Sequence, residues 1–153
     1  MKTWERWSFG ILSLVVGVTG VAYLWMKYFV AHADPMAVVN HPWQPAMLHL
    51  HLLGSPLLIL VFGIILNSHI IKKLGNNRRP NRRTGLISLA TFGTMTASGY
   101  GLQVATNDAW LSALVIVHVA SGLLFGVAYV IHLLMSRLAS TRARGWQQER
   151  EVA

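Results

Sequence analysis

Residues 110–135 read WLSALVIVHVASGLLFGVAYVIHLLM, and residues 47–71 read MLHLHLLGSPLLILVFGIILNSHII. Neither run holds Asp, Glu, Lys or Arg, and each exceeds the ~20 residues a helix needs to cross a bilayer core about 30 Å thick. Two further windows, 9–30 and 86–105, are apolar over a similar length. A chain of 153 residues with 54% hydrophobic and only 12% charged residues fits an integral membrane protein better than a water-soluble domain. The expected fold is all-α, a transmembrane four-helix bundle formed by the single domain 1–153.

The net charge of +8 would mark a nucleic-acid footprint if it were clustered on a soluble face, but its distribution follows the spans instead. Lys2 and Arg6 precede the first span. Lys72, Lys73, Arg78, Arg79, Arg82 and Arg83 lie between the second and third, and Arg137, Arg142, Arg144 and Arg150 follow the fourth. Of the thirteen basic residues only Lys27 falls on the other side. The positive-inside rule then places both termini and the middle loop in the cytoplasm of a bacterial-type inner membrane. The expected contacts are with membrane lipid and not with nucleic acid.

The chain has no cysteine, which excludes disulfides, iron–sulfur clusters, thiol catalysis and covalent haem attachment. Ala31-His32-Ala33 before Asp34 has the form of a signal-peptidase site, but the apolar run ahead of it is too long for a signal peptide, so it reads as a retained anchor. Three prolines, at 35, 42 and 45, disfavour regular helix in the first external loop. Only residues 106–109 separate the third and fourth spans, which makes these a tight antiparallel hairpin with Asp108 near the start of the fourth. Gly93, Ala97 and Gly101 form a small-residue stripe suited to close helix approach. The polar tail after Ser140 is expected to fray. No internal repeat is evident beyond a loose similarity between the two histidine-bearing spans.

The histidines carry the functional signal. An imidazole cannot be left unpaired in hydrocarbon, so one inside a span needs a partner. His118 and His132 are fourteen residues apart, which returns them to within about 40° of one helix face, about 21 Å apart along the axis. Gly122, Phe125, Gly126 and Tyr129 share that stripe; the glycines leave room for a flat macrocycle or for a neighbouring helix. His51 and His69 are eighteen apart, a whole number of turns and about 27 Å. Pro56 lies between them and would alter the phase, so His49 stands as the alternate to His51. A lone histidine is as well explained by a bond to a carbonyl or a headgroup. Four at matched depths on two parallel spans point to axial ligation of two noncovalent b-type haems, His51 with His118 on the outer side and His69 with His132 on the inner.

These elements resemble the membrane di-haem b-type cytochromes, the four-helix cytochrome b561-like subunits and the cytochrome b subunits of formate dehydrogenases. The resemblance covers the four spans and rests on His118 and His132 at their spacing together with His51 and His69. It implies an electron-transfer subunit rather than an autonomous enzyme, with two stacked b haems passing electrons between quinone and a periplasmic or membrane-bound redox subunit. The chain departs from those subunits in having no histidine in the apolar run of its first span. Lys27 would then neutralise an outer haem propionate or a quinone headgroup, or else simply snorkel; Lys72, Lys73 or Arg137 would serve the inner propionates. His32, Asp34 and His41 in the external loop are candidates for proton movement or partner docking. Two other readings remain: a structural or assembly subunit holding one haem or none, and a metal or proton transporter, against which the scarcity of intramembrane carboxylates argues.

Overall fold

A computed structural model describes residues 2–31, 36, 39–66 and 82–152, with residues 82, 84 and 137–152 as backbone only. Among the described residues the chain is all-helical, with four α-helices and no strand: α1 (Thr3–Tyr28), α2 (Gln44–Ile65), α3 (Arg82–Val104) and α4 (Asp108–Val152). They pair as two compact units, Met1–Gly75 containing α1 packed on α2, and Asn76–Ala153 containing α3 packed on α4.

The helix ends follow from local chemistry. At the start of α1 the buried Glu5 carboxylate accepts the Lys2 backbone N–H at 2.7 Å, placing an acidic group at the positive end of the helix dipole. Asn40 ties the end of α1 to the start of α2: its amide donates to the Lys27 carbonyl at 2.8 Å, while its backbone N–H donates to the Gln44 side chain at 3.1 Å. One loop residue thereby satisfies an orphan carbonyl of α1 and holds the side chain that opens α2. Pro45 occupies the first turn of α2, where its missing N–H costs nothing. Asn107 caps α4, accepting the N–H groups of Ala109 and Trp110 at 3.0 and 3.2 Å, so Asp108 is the first helical residue and not the cap.

Three helical segments, Thr3–Tyr28, Gln44–Ile65 and Asp108–Ser136, are long and apolar enough to cross a membrane. Their outward faces expose Leu14, Val18, Leu53, Leu60, Ile116 and Val127 among many large apolar side chains, a surface suited to lipid and unsuited to water. Exposed tryptophans mark both ends of α1, with Trp4 and Trp7 at one and Trp25 at the other, as interfacial anchoring requires. The fourth expected span, 86–105, is helical up to Val104 within α3, which is 23 residues long, but α3 is not among the described helices apolar enough to cross a membrane. Its hydroxyls are turned back onto its own backbone: Thr91, Thr94 and Ser98 donate to the carbonyls of Ile87, Ala90 and Thr94 at 2.8, 3.0 and 2.8 Å. Such bonds lower the cost of hydroxyls in an apolar surrounding.

Two local expectations change. The tail beyond Ser140 does not fray but continues α4 as helix to Val152, in keeping with its content of Arg, Ala, Gln and Glu. The packed face of α3 does not follow the Gly93, Ala97, Gly101 stripe. Gly101 meets Leu114, but a side chain at Gly93 would meet nothing within 4 Å, whereas Phe92 and Ser98 are buried. Phe92 packs edge-on against Phe125 at 5.3 Å and so fixes the phase of α3 on α4. In the other unit Phe9 packs on Phe62 at 5.9 Å, and Gly54 admits Val16, since a Cβ there would stand 3.0 Å from Val16 Cγ2.

Candidate functional site: two histidine seats

Each unit carries one imidazole held in the same way. On α2, His51 turns toward α1, and its Nδ1 lies 2.9 Å from the Val16 carbonyl oxygen. On α4, His118 turns toward α3, and its Nδ1 lies 2.9 Å from the Met95 carbonyl oxygen. A carbonyl oxygen only accepts, so in both residues the proton belongs on Nδ1 and the lone pair on Nε2. That is the tautomer and the second-shell contact typical of a histidine ligating a metal through Nε2.

Both seats are cut by a glycine four residues after the accepting carbonyl. A Cβ at Gly20 would stand 2.9 Å from both Cε1 and Nδ1 of His51, and one at Gly99 would stand 3.0 Å from His118 Cε1 and 3.3 Å from its Nδ1. The imidazoles therefore occupy the volume that any larger residue would fill. The residue before each glycine is a buried hydroxyl shared between two carbonyls of its own helix, one of them the imidazole's acceptor. Thr19 Oγ1 lies 2.8 Å from Val15 O and 3.2 Å from Val16 O; Ser98 Oγ lies 2.8 Å from Thr94 O and 3.0 Å from Met95 O. Ser98 Oγ also stands 3.4 Å from His118 Nδ1. Beyond each histidine the helix carries a second hydroxyl: Ser55 donates to the His51 carbonyl at 2.6 Å, and Ser121 approaches the His118 carbonyl at 3.2 Å.

The two seats repeat closely. Val16, Thr19, Gly20 and His51 correspond to Met95, Ser98, Gly99 and His118 in type and geometry. The sequence signal was the dipeptide Thr19-Gly20 in α1 matched by Ser98-Gly99 in α3, each preceding a histidine in the next helix. That signal is faint, because the accepting groups are backbone carbonyls, which are the same whatever the side chain.

The other expected site residues stand as follows. His49 is exposed while His51 fills the α1 seat, which favours His51 as the inward residue of the pair. His132 is half-buried on α4, and its carbonyl accepts the Ser136 hydroxyl at 2.8 Å. His69 lies outside the described residues, as do Lys72 and Lys73, the loop residues His32 and Asp34, and the side chain of Arg137. Lys27 sits in the last turn of α1, with Nζ 5.7 Å from the Tyr23 ring centre and 5.6 Å from that of Tyr28, within cation–π range of both. His41 accepts the Trp43 backbone N–H on Nδ1 at 3.2 Å, the reverse role from the two seated histidines.

The intervening glycines divide. Gly122 faces Met95 at ordinary contact distance and is a helix-packing residue, whereas a Cβ at Gly126 would meet nothing within 4 Å. Phe125 stacks on Tyr129 at 5.9 Å. Among the described residues no three His, Asp or Glu side chains gather into a metal-ion group; axial ligation of a macrocycle requires only two imidazoles. No family model, curated protein or solved structure matches this chain.

Proposed function

We propose that the chain is a membrane electron-transfer subunit that holds two b-type haems by pairs of histidines, His51 with His118 and His69 with His132. The observation that carries the reading is the pair of Nδ1 contacts at 2.9 Å to backbone carbonyls, one in each unit, because they fix the ligating tautomer in an apolar surrounding. The donor set fits b-type haem: imidazoles in apolar helices, and no cysteine for covalent attachment. When bound, haem iron supplies one-electron redox chemistry.

The chain's own residues hold and tune. The Val16 and Met95 carbonyls orient the imidazoles. The glycine notches let the rings lie close to α1 and α3, which limits their rotation. The apolar helix faces would keep water away, and Lys27, in the last turn of α1, would meet a propionate or a quinone headgroup. Electrons would pass between the quinone pool and a periplasmic or complex-bound partner. An external side with a single basic residue suits a cationic partner better than the basic cytoplasmic side does.

A second reading draws on the same contacts. An imidazole bonded to a neighbouring helix in a glycine notch is also polar glue between helices, which would make the chain a structural or assembly subunit with one haem or none. A reduced-minus-oxidised absorbance spectrum of the purified protein separates the two. Two b-type signals are expected, with His118→Ala and His132→Ala each removing a different one. A spectrum with no haem band, or retention of both signals in either variant, would overturn the di-haem reading.

A further inference from the structure

The two buried hydroxyls have a role beyond closing their own helical turns. We infer that Ser98 sets the donor strength of His118 by competing with its imidazole for the Met95 carbonyl, and that Thr19 does the same for His51 through Val16; the redox consequence rests on the haem reading above. Ser98 and Thr19 are thus positioning residues that act on an imidazole through a shared backbone oxygen.

The Met95 oxygen receives His118 Nδ1 at 2.9 Å and Ser98 Oγ at 3.0 Å, the single hydroxyl proton being shared with Thr94 O at 2.8 Å, and as part of a helix it also accepts the N–H four residues on. A carbonyl oxygen offers two lone pairs, so three donors must share them. Each donor that draws on this oxygen weakens the others. With the hydroxyl present, the Nδ1–H bond is weaker, the imidazole carries less anionic character, and Nε2 is a poorer donor to an oxidised metal. Removing the hydroxyl strengthens the Nδ1–H bond and makes the ring a better donor, which stabilises ferric over ferrous iron and lowers the potential.

An opposing contribution comes from the 3.4 Å approach of Ser98 Oγ to His118 Nδ1, through which the hydroxyl would itself accept. That separation lies beyond the ~2.7–3.2 Å range of N–H···O bonds, so its loss counts for less than release of the carbonyl. In the other seat Thr19 Oγ1 is 3.2 Å from Val16 O and 2.8 Å from Val15 O. The longer contact makes Thr19 the weaker competitor. Since His51 and His118 are assigned to one iron, both hydroxyls should act on the same haem.

The test is spectroelectrochemical titration of the full-length protein carrying Ser98→Ala, Thr19→Val or both, with Ser98→Thr as the conservative control, beside NMR of the His118 Nδ1 proton in haem-free protein. Both variants should keep both haems and move the same b-type signal to lower potential, Ser98→Ala by more than Thr19→Val. The double variant should move it further, Ser98→Thr should restore the original value, and the Nδ1 proton should shift downfield in Ser98→Ala. An unchanged or raised potential, or a static Nδ1 proton, overturns the competition mechanism. Movement of two different signals overturns the sharing of one iron while leaving the mechanism standing. If the unmodified protein shows no haem band, the functional reading falls, and the proton shift alone decides the effect of the hydroxyl.

Discussion

At the scale of single residues, the two seats convert a common problem of membrane helices into a directional arrangement. An imidazole placed in hydrocarbon needs a partner, and a backbone carbonyl of the adjacent helix is the nearest acceptor that carries no charge. Reaching it requires the ring to lie against the helix surface, where a Cβ at position 20 would collide with His51 and one at position 99 would press on His118. Gly20→Ala should therefore force His51 off Val16 and cost about 1 kcal/mol through the broken, part-buried bond. Gly17→Ala is the matched control: it lies one turn away on the same helix, its added Cβ would meet nothing within 4 Å, and the gain in helix propensity should stabilise by up to about 1 kcal/mol. Thermal unfolding of the two variants in one detergent measures both. Equal melting temperatures would mean that the notch at Gly20 does not matter to the fold.

At the scale of elements, the helices were legible because their signals are strong. An uninterrupted apolar run of membrane length admits few alternatives to helix, and Asn107 at a four-residue connection fixes where α4 begins. Asn107→Ala should remove two bonds to N–H groups and destabilise the α3–α4 hairpin by about 1 kcal/mol, read as a lowered melting temperature. Helix phase was harder to read. The glycines of α3 pointed to a stripe through 93, 97 and 101, yet the packed side runs through Phe92, Met95 and Ser98. In lipid both faces of a helix are apolar, so periodicity loses the contrast that reveals a buried face in water. The same loss of contrast hid the seats. The histidines were visible as candidates, but their acceptors are backbone atoms, and backbone atoms leave no mark in a sequence except through the glycine that exposes them.

At the scale of the whole chain, the distribution of charge makes a claim that neither unit makes alone. The basic residues around the start of α1, from the end of α2 into the first turn of α3, and along the end of α4 alternate with connections that hold no Lys or Arg. If the positive-inside rule governs insertion, each unit enters and leaves on the cytoplasmic side, and the seats of His51 and His118 both lie nearer the outer leaflet, since each follows the start of a helix that begins outside. The absence of cysteine gives a clean assay. Single cysteines introduced at Val39 and Thr106, both exposed, should react with a membrane-impermeant thiol reagent in intact spheroplasts. Cysteines at Thr3 and Ser140 should react only after the membrane is opened. Labelling of Val39→Cys without labelling of Thr106→Cys would mean that the less apolar α3 does not cross, so that α3 and α4 do not return to the side they left. His118 would then stand at a different depth from His51, and the two could not serve one iron. The topology of α3, with its hydroxyls turned back on its own backbone, is thus the condition on which the proposed ligation of one iron by both imidazoles depends.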